Sequence, residues 1–352
     1  MEKTIYVHIG GNHPGSYAIQ KFLADNRAAL KRDGYLYPGR YPAHHDMAKE
    51  FRTLTLPALA KNQNLATHAY FDEISLSGSK NIILSSEGFE NLGASAGKLK
   101  EFLKDRFTVK IIFYAMRQDE QLELLYQQRV RQEGTPLDQP FSDFVSSGDL
   151  SSLDYYTVLM PWMQAFGKEN IIVRCYEKEQ LPKGICHDFL ESVGLTPNDQ
   201  YSVPKGRTDR RLNRDFVEIL RICNSHFKDD PGFHRFLVQS LDEINPKLDE
   251  EKKRMLSPQQ RRDVIARYAE PNAKVASEYC GRTDGRLFYA PLPDPDEPFE
   301  TYGGLTVEKV VPVFTQMMFT LNEKYQKRIR SLENRSLKRK MMVKLKKSLD
   351  FF

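Results

Sequence analysis

The sequence lacks the long apolar runs and the leader pattern that would place a chain across or beyond a membrane. None of its apolar runs approaches the ~20 residues that a membrane-spanning helix needs. The first residues, MEKTIYVHIG, enter a strand pattern at once and do not have the basic-then-apolar order of a signal peptide. These absences predict a cytoplasmic protein.

Cysteine is scarce, and its spacing disfavours cysteine-based metal and redox sites. Cys175, Cys186, Cys223 and Cys280 are far apart in the sequence, and no CxxC pair is present. Reduced thiols buried as small apolar groups are therefore expected. A zinc site is not expected, and the sequence shows no other spacing typical of metal ligands.

Acidic residues are missing from residues 335–347, which carry seven lysines and arginines. The formal net charge of the whole chain is +5, so the remainder of the chain is slightly acidic. The basic character therefore belongs to the tail, and no nucleic-acid-binding domain is expected.

Apolar residues in this tail recur every four positions, at Leu337, Met341, Leu345 and Leu349. On a helix they would form one apolar stripe bordered by lysines. Such a helix over 335–349 could make peripheral contact with an anionic membrane surface. It could equally pack the stripe against the body of the protein.

The chain does contain a series of short apolar runs, each followed by a helical pattern. Continuous apolar runs are typical of strands buried on both faces, and repeated βα units imply a parallel sheet. The predicted strands lie at residues 5–9, 81–87, 109–115 and 170–177.

After about residue 200 the sequence shows helical patterns only, at 212–225, 232–247, 258–280 and 307–333. The sequence therefore predicts an α/β fold with helices on both faces of a parallel sheet, which makes three layers. One domain is expected over 1–333, with its core sheet in 1–200 and a helical C-terminal cap in 201–333. A basic amphipathic tail follows at 334–352.

Polar residues follow three of these strands, at the edge where ligands bind in parallel sheets. They are Gly10–Ser16, Ser85–Glu87 and Arg117. The first group joins a strand to a helix through a glycine-bearing turn, a geometry that binds phosphate. It is not a Walker A motif, because no Gly-Lys-Ser/Thr follows the first glycine at the required spacing.

Six stretches in order along the chain carry a family resemblance. They are VHIG and AIQKFLADNRAALKRDGYLYPG (7–10 and 18–39), SSEGF (85–89), FYAMRQDEQLELLYQQRVRQEG (113–134), IIVRCYE (171–177), HDFLESVGL (187–195) and residues 256–288. Together they resemble bacterial sulfotransferases that use 3′-phosphoadenosine-5′-phosphosulfate (PAPS). The resemblance covers most of the first 290 residues and implies the P-loop sulfotransferase fold.

In that family the first loop holds the 5′-phosphosulfate, normally through a lysine followed by Thr-Gly-Thr. Here His13 stands in the place of the lysine, and Pro14 removes one N–H donor. An imidazolium could partly replace the lysine if bound phosphate raised the pKa of His13. Alternatively, the loop no longer accepts phosphosulfate. The resemblance assigns this part of the cofactor site to Gly11, Asn12, His13, Pro14, Gly15, Ser16 and Tyr17.

Arg117 matches the 3′-phosphate ligand of the family, for which a bidentate guanidinium is well suited. The serine that usually assists it is replaced by Leu124. Lys205 and Arg207 loosely resemble a basic loop that covers the nucleotide.

Three further residues are candidates for the general base that deprotonates an acceptor hydroxyl. Glu87 ends a predicted strand at the same edge, and it could alternatively orient the first loop or pair with Arg117. His44 and His45 match a region where the family often carries a histidine near the acceptor. The expected catalytic set is therefore His13, Glu87, His44 and His45.

The resemblance thus implies sulfuryl transfer from PAPS to a hydroxyl of a carbohydrate or related acceptor, with release of 3′-phosphoadenosine-5′-phosphate (PAP). An inactive relative that binds a glycan, a partner or a membrane is the alternative. A P-loop enzyme with another phosphate donor is disfavoured, because the Walker residues are absent. A glycan acceptor at the inner membrane face would suit the tail. The sequence does not identify the acceptor or the oligomeric state.

Overall fold

The fold is known from a computed structural model that describes residues 3–11, 13–204, 211–227, 230–248 and 254–349. The chain forms two compact units. The first comprises residues 1–126, 141–211 and 256–300, and the second comprises 127–140, 212–255 and 301–352. The predicted division into a domain over 1–333 and a separate tail stays a prediction.

The first unit contains one parallel sheet, as predicted. Its strands are Lys3–Gly10 (β1), Tyr35–Leu36 (β2), Asn81–Ser85 (β3), Phe107–Ala115 (β4) and Ile171–Cys175 (β5). They are ordered β2-β3-β1-β4-β5, and every neighbouring pair is parallel. After β1 the chain builds β2 and β3 on one side and then β4 and β5 on the other. The strand order therefore reverses between β1 and β4, where sheets of this kind bind ligands.

The helices of the structure largely follow the predicted pattern. The α-helices are Pro14–Asp25 (α1), Arg27–Arg32 (α2), His45–Thr53 (α3), Leu56–Lys61 (α4), Ala66–Leu76 (α5), Ala96–Leu103 (α6), Gln118–Arg131 (α7), Phe141–Ser147 (α8), Tyr155–Phe166 (α9), Ile185–Ser192 (α10), Arg214–Phe227 (α11), Pro231–Leu248 (α12), Pro258–Arg267 (α13), Ala269–Cys280 (α14) and Val307–Leu349 (α15). Short 3₁₀ helices lie at Glu87–Ser95, Lys104–Arg106, Ser151–Leu153, Lys168–Asn170 and Lys178–Gln180.

The helix predicted after β1 is divided at Asn26. The Asn26 side-chain amide donates to the carbonyls of Phe22 and Ser202, at 2.8 and 2.9 Å. Its side-chain oxygen accepts the N–H of Ser202 at 2.8 Å. Asn26 therefore takes part in hydrogen bonds that end α1 and hold a distant loop of the same unit, and α2 begins after it.

Alternate residues of each central strand enter different apolar clusters, because successive side chains of a strand point to opposite faces. Ile111 and Phe113 of β4 pack with residues of α3, α6, α9 and α14. Ile112 and Tyr114 pack with residues of α1, α2 and α10. Both faces of the sheet are thus apolar, which accounts for the uninterrupted apolar runs in the sequence.

The described part of the second unit is helical. The Asn224 amide on α11 donates to the carbonyls of Val130 and Leu137, both at 2.8 Å, and ties α11 to residues 127–140. α15 contacts α11 and α12. It continues beyond the predicted end at 333 as far as Leu349. Within the described residues, no helix has the length and apolarity needed to cross a membrane.

Candidate functional site

Two glycines bring the loop after β1 close to the ends of β3 and β4. Gly10 and Gly11 have φ angles of +100° and +97°, which side chains other than glycine rarely adopt. A Cβ atom on Gly10 would lie 2.8 Å from the Cα atom of Glu87. A Cβ atom on Gly11 would lie 2.3 Å from the carbonyl oxygen of Tyr114. The loop can approach both neighbouring strands this closely only with glycine at these positions.

His13 fills the loop with its own side chain. Its Nδ1 atom accepts the backbone N–H of Gly15 at 3.1 Å and so caps α1. This contact assigns the proton to Nε2, which donates to the carbonyl of Tyr114 at 3.0 Å. The ring also stacks on Tyr176, with ring centres 4.5 Å apart.

The electrostatic state of His13 differs from the one expected for a lysine replacement. Burial lowers the pKa of the His13 imidazole to about 4, because a charged ring would lose its solvation there. The ring is therefore neutral at pH 7, whereas a replacement for the lysine would carry its charge as an imidazolium. The role of His13 in catalysis stays a prediction.

The remaining described groups of this loop also bond within it. The Ser16 hydroxyl donates to the carbonyl of Gly11 at 2.7 Å, and the Ser16 N–H donates to the carbonyl of His13 at 3.1 Å. The N–H of His13 donates to the carbonyl of Gly11 at 2.7 Å. Tyr17 lies half-buried in the first turn of α1, and Asn12 lies outside the described residues. In this conformation several N–H and O–H donors of the loop, which could otherwise bind an anion, form hydrogen bonds within the loop.

Arg117 lies directly after β4, as predicted, but its guanidinium is already bonded. It donates to both carboxylate oxygens of Asp119, at 2.8 and 3.1 Å, and to the carbonyl of Pro291 at 2.8 Å. The fully buried Asp119 also accepts from Arg261 at 2.9 Å. This differs from the open fork expected for a 3′-phosphate ligand, because the buried carboxylate takes that side of Arg117.

A cavity of about 530 Å³ lies beside Arg117, at the carboxyl ends of β4 and β5. Pro14 of the first loop and Tyr176 also line it. The charged residues of its wall have both signs: Arg117, Lys178, Arg211, Glu120, Glu177 and Glu179. The volume lies in the range of small-molecule sites. The mixed charges suit a ligand that carries phosphate together with polar groups.

Sequence reasoning missed two cations of this cavity, Lys178 and Arg211. Lys178 comes immediately after the predicted strand at 170–177, so its position after a strand end was a usable signal. Lys205 and Arg207, predicted to cover the nucleotide, lie outside the described residues, and Arg211 is the first described residue after them.

Glu87 and His45 form a polar pair on the other side of the first loop. Gln20 of α1 donates to Glu87 Oε2 at 2.9 Å, and His45 Nε2 lies 3.7 Å from the same oxygen. The Ser86 hydroxyl accepts the N–H of Gly88 at 3.0 Å and lies 2.8 Å from His45 Nδ1.

His44, the neighbour of His45, is a structural residue in this fold. Its Nδ1 atom accepts the N–H of Ser85 at 3.0 Å, and its Nε2 atom donates to the carbonyl of Pro38 at 3.1 Å. Burial lowers the pKa of His44 to about 4. Both ring nitrogens are thus occupied, so the structure does not place His44 as an available base.

A third buried histidine lies beneath the loop and was not singled out in the sequence. His8 Nδ1 is 2.7 Å from the hydroxyl of Ser85, and its Nε2 atom is buried without a hydrogen-bond partner. Burial lowers the pKa of His8 to about 3, and nearby His13 acts in the same direction. His8 is therefore neutral at pH 7.

Comparisons with known proteins leave the family open. No family model matches the chain. A protein of Archaeoglobus fulgidus that is itself uncharacterized is 29% identical over 204 residues, which cover 57% of this chain and 54% of that relative's length. A sulfotransferase from Alicyclobacillus acidocaldarius superposes with a TM-score of 0.39 and 13% identity, covering 68% of this chain and 96% of that chain. A likeness at this TM-score carries no weight for fold or function.

Proposed function

We propose that this protein binds PAPS and transfers its sulfuryl group to a hydroxyl of a carbohydrate or related acceptor. The arrangement of four neighbouring strand ends supports this proposal. β3 ends at the Glu87–His45 pair, β1 ends at the glycine loop, and β4 and β5 end at the cavity lined by Arg117, Lys178 and Arg211. An acceptor base, a phosphate loop and a nucleotide pocket would occupy these positions in the order that the transfer requires.

The nucleotide would occupy the cavity, whose volume is adequate for it. Lys178 and Arg211 would pair with its phosphates, and Arg117, which lies in the same wall, would add positive charge. When bound, PAPS supplies the sulfuryl group and leaves as PAP. Positioning and positive charge would provide most of the rate acceleration.

The acceptor would approach from the side of Glu87. Gln20 fixes the Oε2 atom of this carboxylate, which leaves Oε1 as the atom that would take the proton of the hydroxyl. His45 faces Oε2 and would stabilise the carboxylate or take over the proton. Because this side chain is 62% exposed, it can reach a solvent-borne acceptor.

A second candidate is a relative that keeps the fold for binding without catalysis. One observation favours it: His13 Nδ1 occupies the Gly15 N–H, which lies at the helix N-terminus where an anion would bind. The bidentate bond of Arg117 to Asp119 also favours this candidate. Under this hypothesis the cavity would hold a ligand that is not turned over.

The two candidates differ in an assay of PAP formation from PAPS with a panel of hydroxyl-bearing carbohydrates. The proposal predicts PAP formation by the wild-type chain. Glu87→Gln should lower the rate by about 100-fold or more, the usual contribution of a general base. Glu101→Gln changes an exposed carboxylate on α6 and should have no effect. PAP formation by His13→Lys alone would favour the second candidate.

A further inference from the structure

The long helix α15 has an apolar stripe that faces solvent, in addition to the face by which it packs in its unit. Among its exposed large apolar side chains, six that are 42–67% exposed lie on one face: Val311, Phe314, Met318, Tyr325, Ile329 and Leu332. At 100° per residue they lie within an arc of about 60° and extend along about 30 Å of the helix. We call this set the outer stripe.

The outer stripe is not the face by which α15 packs in its unit. Val313, Met317 and Thr320 are only 4–6% exposed and form the inner face. On a helical wheel this inner face is about 120° from the outer stripe. A helix packed on a core normally needs one apolar face only. A second, contiguous apolar face therefore indicates a surface that binds a partner.

Charge indicates the kind of partner. α15 contains twelve lysines and arginines but only three glutamates, a formal charge of +9. The whole chain has a net charge of +5, so the rest of it is acidic. Lys327, Arg328 and Arg330 lie in the exposed part of the helix. On a helical wheel Arg328 adjoins the outer stripe, and Lys327 and Arg330 lie on other faces of the helix. A second copy of α15 would bring the same positive charge, whereas an anionic lipid surface would neutralise it.

We propose that α15 lies flat on an anionic lipid surface. The outer stripe enters the boundary between headgroups and acyl chains, and the basic residues remain near the lipid phosphates. Tyr325 suits this depth, because its ring is apolar and its hydroxyl is polar. The surface lies upstream of the stripe predicted at 335–349, and it is independent of the proposed sulfuryl transfer.

Flotation of the full-length chain with lipid vesicles tests this surface. The chain should float with vesicles of phosphatidylcholine and phosphatidylserine, and less with phosphatidylcholine alone. The double variant Phe314→Ser/Met318→Ser should lower the partition coefficient by about tenfold or more, from the apolar area lost. Phe319→Ser is the matched control. Phe319 is 58% exposed on the same helix but about 110° from the outer stripe, so its loss should change binding less than twofold.

Circular dichroism of both variants would verify that helix content is kept, as expected for exposed positions. Equal flotation of the double variant and the wild type would overturn the proposal, as would wild-type chain that does not float with the anionic vesicles. If the wild type sediments as a dimer, the double variant as a monomer, and neither binds vesicles, the outer stripe is an interface between copies and the proposal is wrong.

Discussion

Mild acid should unfold this protein, because three histidines are buried in the neutral state. The pKa of His8 is about 3, and those of His13 and His44 are about 4. In the unfolded chain a histidine has a pKa of about 6.5. Below pH 6.5 the unfolded chain therefore binds up to three protons that the folded chain does not bind. The free energy of unfolding must fall as the pH falls through this window.

The expected loss is large. Each pH unit between 6.5 and the folded pKa costs about 1.4 kcal/mol for each histidine. From pH 6.5 to pH 5 this amounts to about 2 kcal/mol for one ring and about 6 kcal/mol for three. Total stabilities of about 5–15 kcal/mol are typical, so the protein should be close to unfolding at pH 5.

Urea denaturation at pH 7, 6 and 5 measures this loss. The variant His44→Gln removes one of the three rings, so its pH dependence should be about two thirds of that of the wild type. Its stability at pH 7 is also expected to be lower, since the bonds to Ser85 and Pro38 change. A free energy of unfolding that stays within about 1 kcal/mol between pH 7 and pH 5 would refute this reasoning.

Two further substitutions test the packing of the site. Asp119→Asn should destabilise the fold by about 3–5 kcal/mol in a urea titration, because two guanidinium groups would lose a buried carboxylate. The control Asp138→Asn, at an exposed position, should have little effect in the same titration. Gly11→Ala should destabilise the fold by about 2 kcal/mol or more, since φ is positive and a Cβ atom would meet a carbonyl oxygen. The control Gly97→Ala, in the exposed part of α6 with open space around it, should be neutral or stabilising. Equal effects of the two alanines on stability would contradict the need for glycine at position 11.

The strands could be predicted because burial on both faces leaves a direct trace in the sequence. β4 appears as the run VKIIFYA at 109–115, and the strand itself begins two residues earlier, at Phe107. The two-residue strand β2 leaves no such trace in the sequence. The break at Asn26 was also missed, because it depends on a loop near Ser202 that is distant in sequence.

The site was less predictable, because its state depends on partners that are distant in sequence. Arg117 follows β4 as predicted, but Arg261, which also donates to Asp119, lies 142 positions after Asp119. His44 and His45 are adjacent and of the same type. Only the approach of α3 to β3 makes one buried and the other exposed. The family pattern puts His13 at the position of a lysine, and its capping of α1 was not predictable, because histidine is not among the usual N-cap residues.

Binding of the nucleotide product PAP shows whether the cavity is a nucleotide site. Calorimetric titration with PAP should show saturable binding to the wild-type chain. Lys178→Gln and Arg211→Gln should each weaken it by roughly tenfold, from the loss of one charged contact. The control Lys61→Gln, at an exposed position of α4, should bind as the wild type does. Absence of detectable heat with millimolar PAP would contradict the proposed nucleotide site.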